Sequence, residues 1–382
     1  MARLRWTTAG ESHGHSLVGV LDGLPAGLAL DLARVDRELA RRQMGYGRSK
    51  RQRIEEDKLE LLSGTRGGLS LGSPLAFRIA NKDASIERLE VPSSPRPGHA
   101  DLAGCQKYGV ADPRLVLERA SARETAARVA LGALARQLLE AFGIELFGHV
   151  TALGGEEARA DAFERAGEAR ADLRDRSAFH CLDPEAEERM RARVDRAAAE
   201  QDTLGGTFEV RGLGLPPGLG SYAQAEERLS ARLGAALFSI PAIKGVEVGL
   251  GFAAAGLPGS QVQDAIRKAA PPGAFGRFRR DTNRAGGLEG GLTNGEPLVL
   301  RAAMKPIPTL RRGLPTVAFG SGEETLSSYQ RSDVTAVPAA SVVGEAVVAL
   351  VLAEAFLEKF GGDSLEHVRG AHAAWLRGLA AL

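Results

Sequence analysis

Residues 338–360 constrain the fold more than any other stretch. Pro338 can occupy the first turn of a helix, VVGEAVVALVLAEAFL fills 342–357, and Gly361 with Gly362 ends it. Ala339, Val343, Ala346 and Leu350 give this helix a small, apolar face suited to close packing. Glu345 and Glu354 break the run, and no stretch reaches 18 consecutive apolar residues, so no bilayer span is expected. A second sequence, RETAARVALGALARQLLEAFG at 123–143, is apolar on several faces and is expected to be central.

Other elements are shorter. DLARVDRELARRQ at 31–43 has Leu32, Val35 and Leu39 at helical spacing, with Gly45 and Gly47 to stop it. SQVQDAIRKAA opens with Ser260 and Gln263, a capping box that predicts a helix. Strands are expected at LRWTTAG near the start and at 58–64, 73–81, 144–154, 207–213, 244–252 and 296–306. Some alternate in polarity, as in sheets with one covered face, and no evenly spaced βαβ repeat exists. The pattern predicts an α+β fold of mixed helices and antiparallel sheets. Residues 155–203 differ, being rich in Ala, Glu, Asp and Arg with opposite charges at helical spacing. Asp183 and Pro184 start a helix there, while His180 and Cys181 read as structural. Functional-looking segments flank this region on both sides. The expectation is one unit, 1–382, with a charged helical excursion at about 155–203.

Charge narrows the function. The formal net charge is +1, so a globally basic nucleic-acid binder is not indicated, and any anion must be held by local basic clusters. Cys105 and Cys181 are the two cysteines and lie far apart, giving no disulfide framework or cysteine metal pattern. A reducing, cytoplasmic setting is the simple expectation. The opening MARLRWTTAGESHGH lacks the basic-then-apolar pattern of a signal peptide.

Two histidine segments carry the acid–base chemistry: GESHGHS at 10–16 and RPGHAD at 96–101. His13 and His99 sit there among glycines, hydroxyls and arginine, a setting for moving protons near neutral pH. RRQMGYGRSKRQRI at 41–54 concentrates arginine and lysine. It reads as a solvated loop, an RNA-binding arm with too few aromatics, or a lid closing on a phosphate. LERASARETAARVALG at 117–132 puts Arg119, Ser121, Arg123 and Thr125 at a helix start, where anions are favoured. DTNRAGGLEGGLTNGEPL at 281–298 could wrap a flat ligand by backbone contact. Asp333, two residues after Arg331, could cap the following helix or serve as a base. No HExxH, cysteine cluster or GxSxG is present, and no protein-bound metal is expected.

In this order, these motifs resemble the chorismate synthase family. GESHGHSLVGVLDGLPAG, RRQMGYGRSKRQRIEEDKLELLSG, GSPLAFRIANKD, RPGHAD, RASARETAARVALGA, PAIKGVEVG, DTNRAGGLEGGLTNGEPL, MKPIPT and RSDVTAVPAA span almost the whole chain. The resemblance implies a β-α-β sandwich, helices packed between antiparallel sheets, assembled as a homotetramer. It implies conversion of 5-enolpyruvylshikimate 3-phosphate to chorismate with loss of phosphate, requiring reduced FMN without net redox change, on the way to aromatic amino acids. A flavin-dependent oxidoreductase acting on a phosphorylated small molecule is the rival reading. NADPH matters only if the enzyme reduces its own flavin; otherwise a separate flavin reductase is implied.

By the same resemblance, His13 protonates the reduced flavin and His99 helps phosphate leave. Asp333 helps flavin N5 accept the substrate's C6 proton. Arg42, Arg48, Arg51, Arg96 and Arg123 are similar to a substrate cradle, and Arg42 and Arg48 also match a nicotinamide-phosphate contact. Arg119, Ala120, Ser121, Pro241, Ala242, Gly290, Lys305, Pro306, Ile307, Pro308, Thr309 and Arg331 match flavin-contact segments. Many members carry Asn or Gln where this chain has Pro241, which leaves backbone contact from Pro241 and Ala242.

Overall fold

The computed structural model describes residues 4–48, 56–327 and 333–381. Two antiparallel sheets enclose a layer of helices. The first sheet orders Arg5–Ala9, Ser16–Asp22, Leu75–Ala80 and Glu60–Ser63. The second orders Ile243–Val248, Leu298–Met304, Gly206–Leu213 and Glu145–Leu153, with Glu156–Glu157 at its edge. Strand alternation decides the faces. Leu17, Leu21, Leu75, Phe77 and Ile79 of the first sheet are buried, as are Leu146, Phe208, Val210, Leu298 and Leu300 of the second.

The helix Thr125–Glu140 packs on strand Ser16–Asp22 and on the helix Val337–Phe360, which in turn packs on strands Glu145–Leu153 and Gly206–Leu213. Helices Leu32–Gln43 and Leu229–Phe238 join this layer. The two central helices touch through their backbones. A Cβ on Gly132 would lie 2.4 Å from the Ala346 Cα, a distance no side chain tolerates. By length and composition Val337–Phe360 could cross a membrane, yet 89% of its apolar window is buried inside the fold.

Glu345 interrupts that apolar helix for a reason invisible locally. Its carboxylate is buried with Arg41 of Leu32–Gln43, Arg136 of Thr125–Glu140 at 3.3 Å and Arg174 at 3.1 Å, and it accepts the Gly148 N–H. Burial alone would raise the Glu345 pKa, but the three guanidinium groups outweigh it and hold the group at about 2. Residues 155–203 carry the helices Ala162–Ala166, Arg170–Arg176 and Pro184–Ala199, the last capped by Asp183.

Two expectations differ from the structure. The helix predicted from Ser260 amounts to one turn, Gly259–Val262, followed by strand Ile266–Gly273 paired with Gly276–Arg280. Asp264 explains the change. Its carboxylate accepts the Arg284 and Ala285 N–H groups at 2.9 Å and tethers this segment to a distant loop, while Pro271 and Pro272 cannot extend a helix. The strand Ser16–Asp22, absent from the expected set, lies inside the first sheet and directly continues the first histidine segment.

Candidate active site

A cavity of about 490 Å³ opens where the helix layer meets loops from both sheets. Its walls gather segments far apart in sequence. Contributions come from the 12–13 loop, the end of Leu32–Gln43, the 96–100 turn, residues 117–125, the 240–242 turn, residues 304–309, and Asp333 with the start of Val337–Phe360. Of the residues singled out from sequence, His13, His99, Asp333, Arg42, Arg48, Arg96, Arg123, Ala120, Ser121, Pro241, Ala242, Lys305, Ile307, Pro308 and Thr309 line it. Pro306, Arg119 and Gly290 do not. Arg119 binds the Thr8 and Gly10 carbonyls at 3.0 Å, and Gly290 is exposed in a hairpin against the start of Leu229–Phe238. Arg51, Arg331 and most of the basic segment beyond Arg48 lie outside the described residues.

Each histidine is held by a buried carboxylate. Glu118 Oε2 lies 2.7 Å from His13 Nδ1 and also accepts the His13 backbone N–H, while Arg114 donates to Oε1 at 2.8 Å. Asp101 Oδ1 lies 2.5 Å from His99 Nδ1, and Arg96 grips the same carboxylate through Nε at 2.7 Å and Nη2 at 2.9 Å. Arg96 Nη2 also lies 3.0 Å from His99 Nδ1, but the carboxylate oxygen is nearer. Since an ionised carboxylate can only accept, these contacts favour a proton on Nδ1 of both rings and leave Nε2 for other chemistry. Burial pushes the Glu118 and Asp101 carboxyls up. Hydrogen bonds from His13 and Arg114 on one, and from His99 and Arg96 on the other, win and leave both below the usual range. Both therefore stay ionised at neutral pH.

The arginines are positioned with equal care. Arg42 donates to Thr125 Oγ1 at 3.0 Å and to the Ala122 carbonyl at 2.9 Å. Complete burial, with Arg123 and Arg48 nearby, brings its pKa down to about 10 despite Asp57. Arg123 meets both oxygens of buried Asp57 at 2.6 and 2.7 Å and donates to Asn81 at 2.9 Å. Arg48 pairs through Nε with Asp333 at 3.0 Å. Its buried Nη1 has no hydrogen-bond partner among the described residues. Such a donor costs free energy unless a ligand accepts from it. Lys305 reaches the Gly98 carbonyl at 2.6 Å. Ala242 adopts a left-handed conformation, φ +69°, and its carbonyl accepts from Lys305 N, a strained turn of the kind found at binding sites.

Sequence reasoning missed Glu118, Asp101, Asp57 and Asn81. Asp101 and Glu118 fall inside quoted motifs, and the need of any catalytic imidazole for an Nδ1 partner was the usable signal. Asn81 braces the histidine loop, donating to the carbonyls of Glu11 and Gly14 at 3.1 and 2.8 Å.

Comparison with known proteins gives one answer. Residues 4–357 match the family model described as chorismate synthase. The chain is 54% identical to chorismate synthase of Rubrobacter xylanophilus, over 98% of this chain and 97% of that protein. It is 51% identical to that of Desulforudis audaxviator, over 99% and 98%. A crystal structure of chorismate synthase superposes with a TM-score of 0.81 at 40% identity, covering 100% of this chain and 99% of that one.

Proposed function

This chain belongs to the chorismate synthase family, and on that premise we propose that its cavity converts 5-enolpyruvylshikimate 3-phosphate to chorismate and phosphate with the help of reduced FMN. Chorismate synthases are carbon–oxygen lyases of aromatic amino-acid biosynthesis, and this chain is such an enzyme. The carrying observation is the meeting of both carboxylate-held histidines, Asp333 and four arginines on one cavity. The substrate brings two carboxylates and a phosphate, about four negative charges near neutral pH. In a chain of net charge +1, directed hydrogen bonds from the arginines gathered on this wall are what can hold it.

The wall also suits a flavin. Ile240, Met304, Ile307, Pro308 and Val343 offer apolar surface to a flat ring, and Lys305 offers a cationic group beside it. Ala120, Ser121, Pro241, Ala242, Lys305, Ile307, Pro308 and Thr309 would hold it. Bound there, reduced flavin would supply electron density to the substrate as its C–O bond to phosphate breaks and would take it back as the C6 proton leaves, without net redox change. The chain's own groups do the rest. Arg42, Arg48, Arg96 and Arg123 bind and orient the anionic groups. His99, its Nδ1 locked by Asp101, donates a proton from Nε2 to the leaving phosphate. His13, locked by Glu118, holds a proton beside the ring, and Asp333 assists removal of the C6 proton.

The same reading makes residues 1–382 one working unit, cytoplasmic and homotetrameric. Phe252 (81% exposed), Tyr222 (75%) and Phe278 (62%) are apolar groups available to such contacts. The test is anaerobic turnover with chemically reduced FMN and the enolpyruvyl phosphate. Phosphate and chorismate should appear together over many turnovers per flavin. One flavin oxidised per product would replace the reading with a net oxidoreductase.

A further inference from the structure

None of the residues lining the cavity comes from the charged excursion at 155–203. Yet both members of the Arg48–Asp333 pair are fastened to it. On the arginine side, Tyr46 N donates to the Ala178 carbonyl at 2.9 Å. The Tyr46 ring meets Phe179 edge-on with centroids 5.8 Å apart, Arg191 lies 4.5 Å over the ring, and the hydroxyl donates to Asp195 at 2.8 Å. Gly47 follows with φ +76°, so close to the excursion that a Cβ there would sit 2.9 Å from Val194 Cγ1. On the aspartate side, Val334 N donates to the Gly47 carbonyl at 2.8 Å. The Val334 carbonyl accepts from Leu204 N, also at 2.8 Å, where the excursion rejoins the second sheet.

A separate apolar cluster binds these parts together. Phe179, Met190, Val194, Leu204 and Val337 are buried in it, and Tyr46 and Val334 pack on its surface. Arg48 is therefore two residues from one anchor and Asp333 one residue from another, on the same body.

We propose that residues 178–204 are a positioning platform for the Arg48–Asp333 pair, and that Tyr46 is the contact through which the platform acts. The proposal rests on the catalytic reading above for its kinetic consequence, though not for its structural one. A displacement on the order of 1 Å at a reacting group costs about 10²-fold in rate, so loss of the Tyr46 anchor reaches the chemistry without touching it.

A double-mutant cycle tests this. Tyr46→Ala should lower kcat by roughly 10–100-fold while FMN affinity is kept, and Tyr46→Phe, which keeps the ring between Phe179 and Arg191, should restore most of it. In an Asp333→Asn background the same Tyr46→Ala change should cost less than about 3-fold, because the group it positions is gone. An equal cost in both backgrounds, or no cost in either, overturns the platform. If Tyr46→Ala does not fold, Val194→Ala enters the same cycle with the same expected non-additivity. A second arm needs no turnover. The affinity for inorganic phosphate should fall in Tyr46→Ala, and the Tyr46 change should add nothing in an Arg48→Ala background. A wild type that forms no chorismate but shows this phosphate coupling refutes the reaction and leaves the platform standing. Chorismate formation without either coupling does the reverse.

Discussion

Glu118→Gln tests the acid–base assignment most directly. The wild-type carboxylate receives three donors: His13 Nδ1 at 2.7 Å, His13 N at 3.2 Å and Arg114 Nη1 at 2.8 Å. An amide of nearly equal volume has one acceptor oxygen. Arg114 can only donate, so it keeps that oxygen, and the amide NH₂ turns toward His13. Donor then faces donor. The ring must give up its Nδ1 proton or rotate, and Nε2 loses its role either way. A positioned general acid–base contributes roughly 10²–10⁴-fold, and kcat should fall by that amount. Stability should fall less than in Glu118→Ala, since side-chain volume and the Arg114 contact persist. Glu118→Ala adds the cost of stranding buried donors, about 1–3 kcal/mol. The assay is anaerobic steady-state turnover with reduced FMN, beside ¹⁵N NMR of the imidazole and a urea unfolding curve. A folded Glu118→Gln enzyme within about 3-fold of wild-type kcat would refute the reasoning, because His13 would then work without a fixed tautomer.

Three further outcomes follow from the interior. Glu345→Ala leaves Arg41, Arg136 and Arg174 without their shared carboxylate and should cost about 3–5 kcal/mol in urea unfolding; a cost below about 1 kcal/mol would show the cluster to be solvated. Burial, with Arg41 and Arg174 adding to it, lowers the His180 pKa from 6.5 to about 4. The unfolded chain thus binds the proton more readily, and the stability from neutral His180 is complete above pH 6.5 and lost as pH falls toward 4, by roughly 3 kcal/mol in all. His180→Asn, which tolerates the left-handed φ of +59°, should flatten Tm over that window, and an unchanged slope would assign the acid sensitivity elsewhere. Gly132→Ala gains up to about 1 kcal/mol of helix propensity but drives a methyl to 2.4 Å from Ala346. The clash should win by about 1–3 kcal/mol net, and a raised Tm would mean that the two helices can part at no cost.

The fold was legible where a pattern is local. The periodicity of 31–43 and the Pro-to-Gly frame of 338–360 give helices with nearly those bounds. Ser16–Asp22 was hidden because its alternation starts inside a polar histidine motif, and the 260–270 helix was wrong because Asp264 answers to residues twenty positions away. The site shows the same division. Motifs nominated His13, His99 and Asp333, but the carboxylate that orients His13 is 105 residues off, and only the fold supplies it.

The arginine count misleads for a related reason. A sequence reading sums Arg42, Arg48, Arg51, Arg96 and Arg123 into one strongly positive cradle. In the fold, Asp57 takes both oxygens to Arg123, Asp101 takes the fork of Arg96, and Asp333 takes Nε of Arg48. Among the described residues, four of these cations thus face three carboxylates, which weakens the field they set over the cavity. An anion with about four charges cannot be held there by net charge alone. It must be recognised by directed hydrogen bonds, and the buried Nη1 of Arg48, without a hydrogen-bond partner among the described residues, is a donor that gains when one forms. The carboxylates then hold the arginine forks in place before the ligand arrives, so less freedom is lost on binding. Binding strength should therefore depend more on the orientation of Arg48 than on the number of arginines, which is the quantity no motif records.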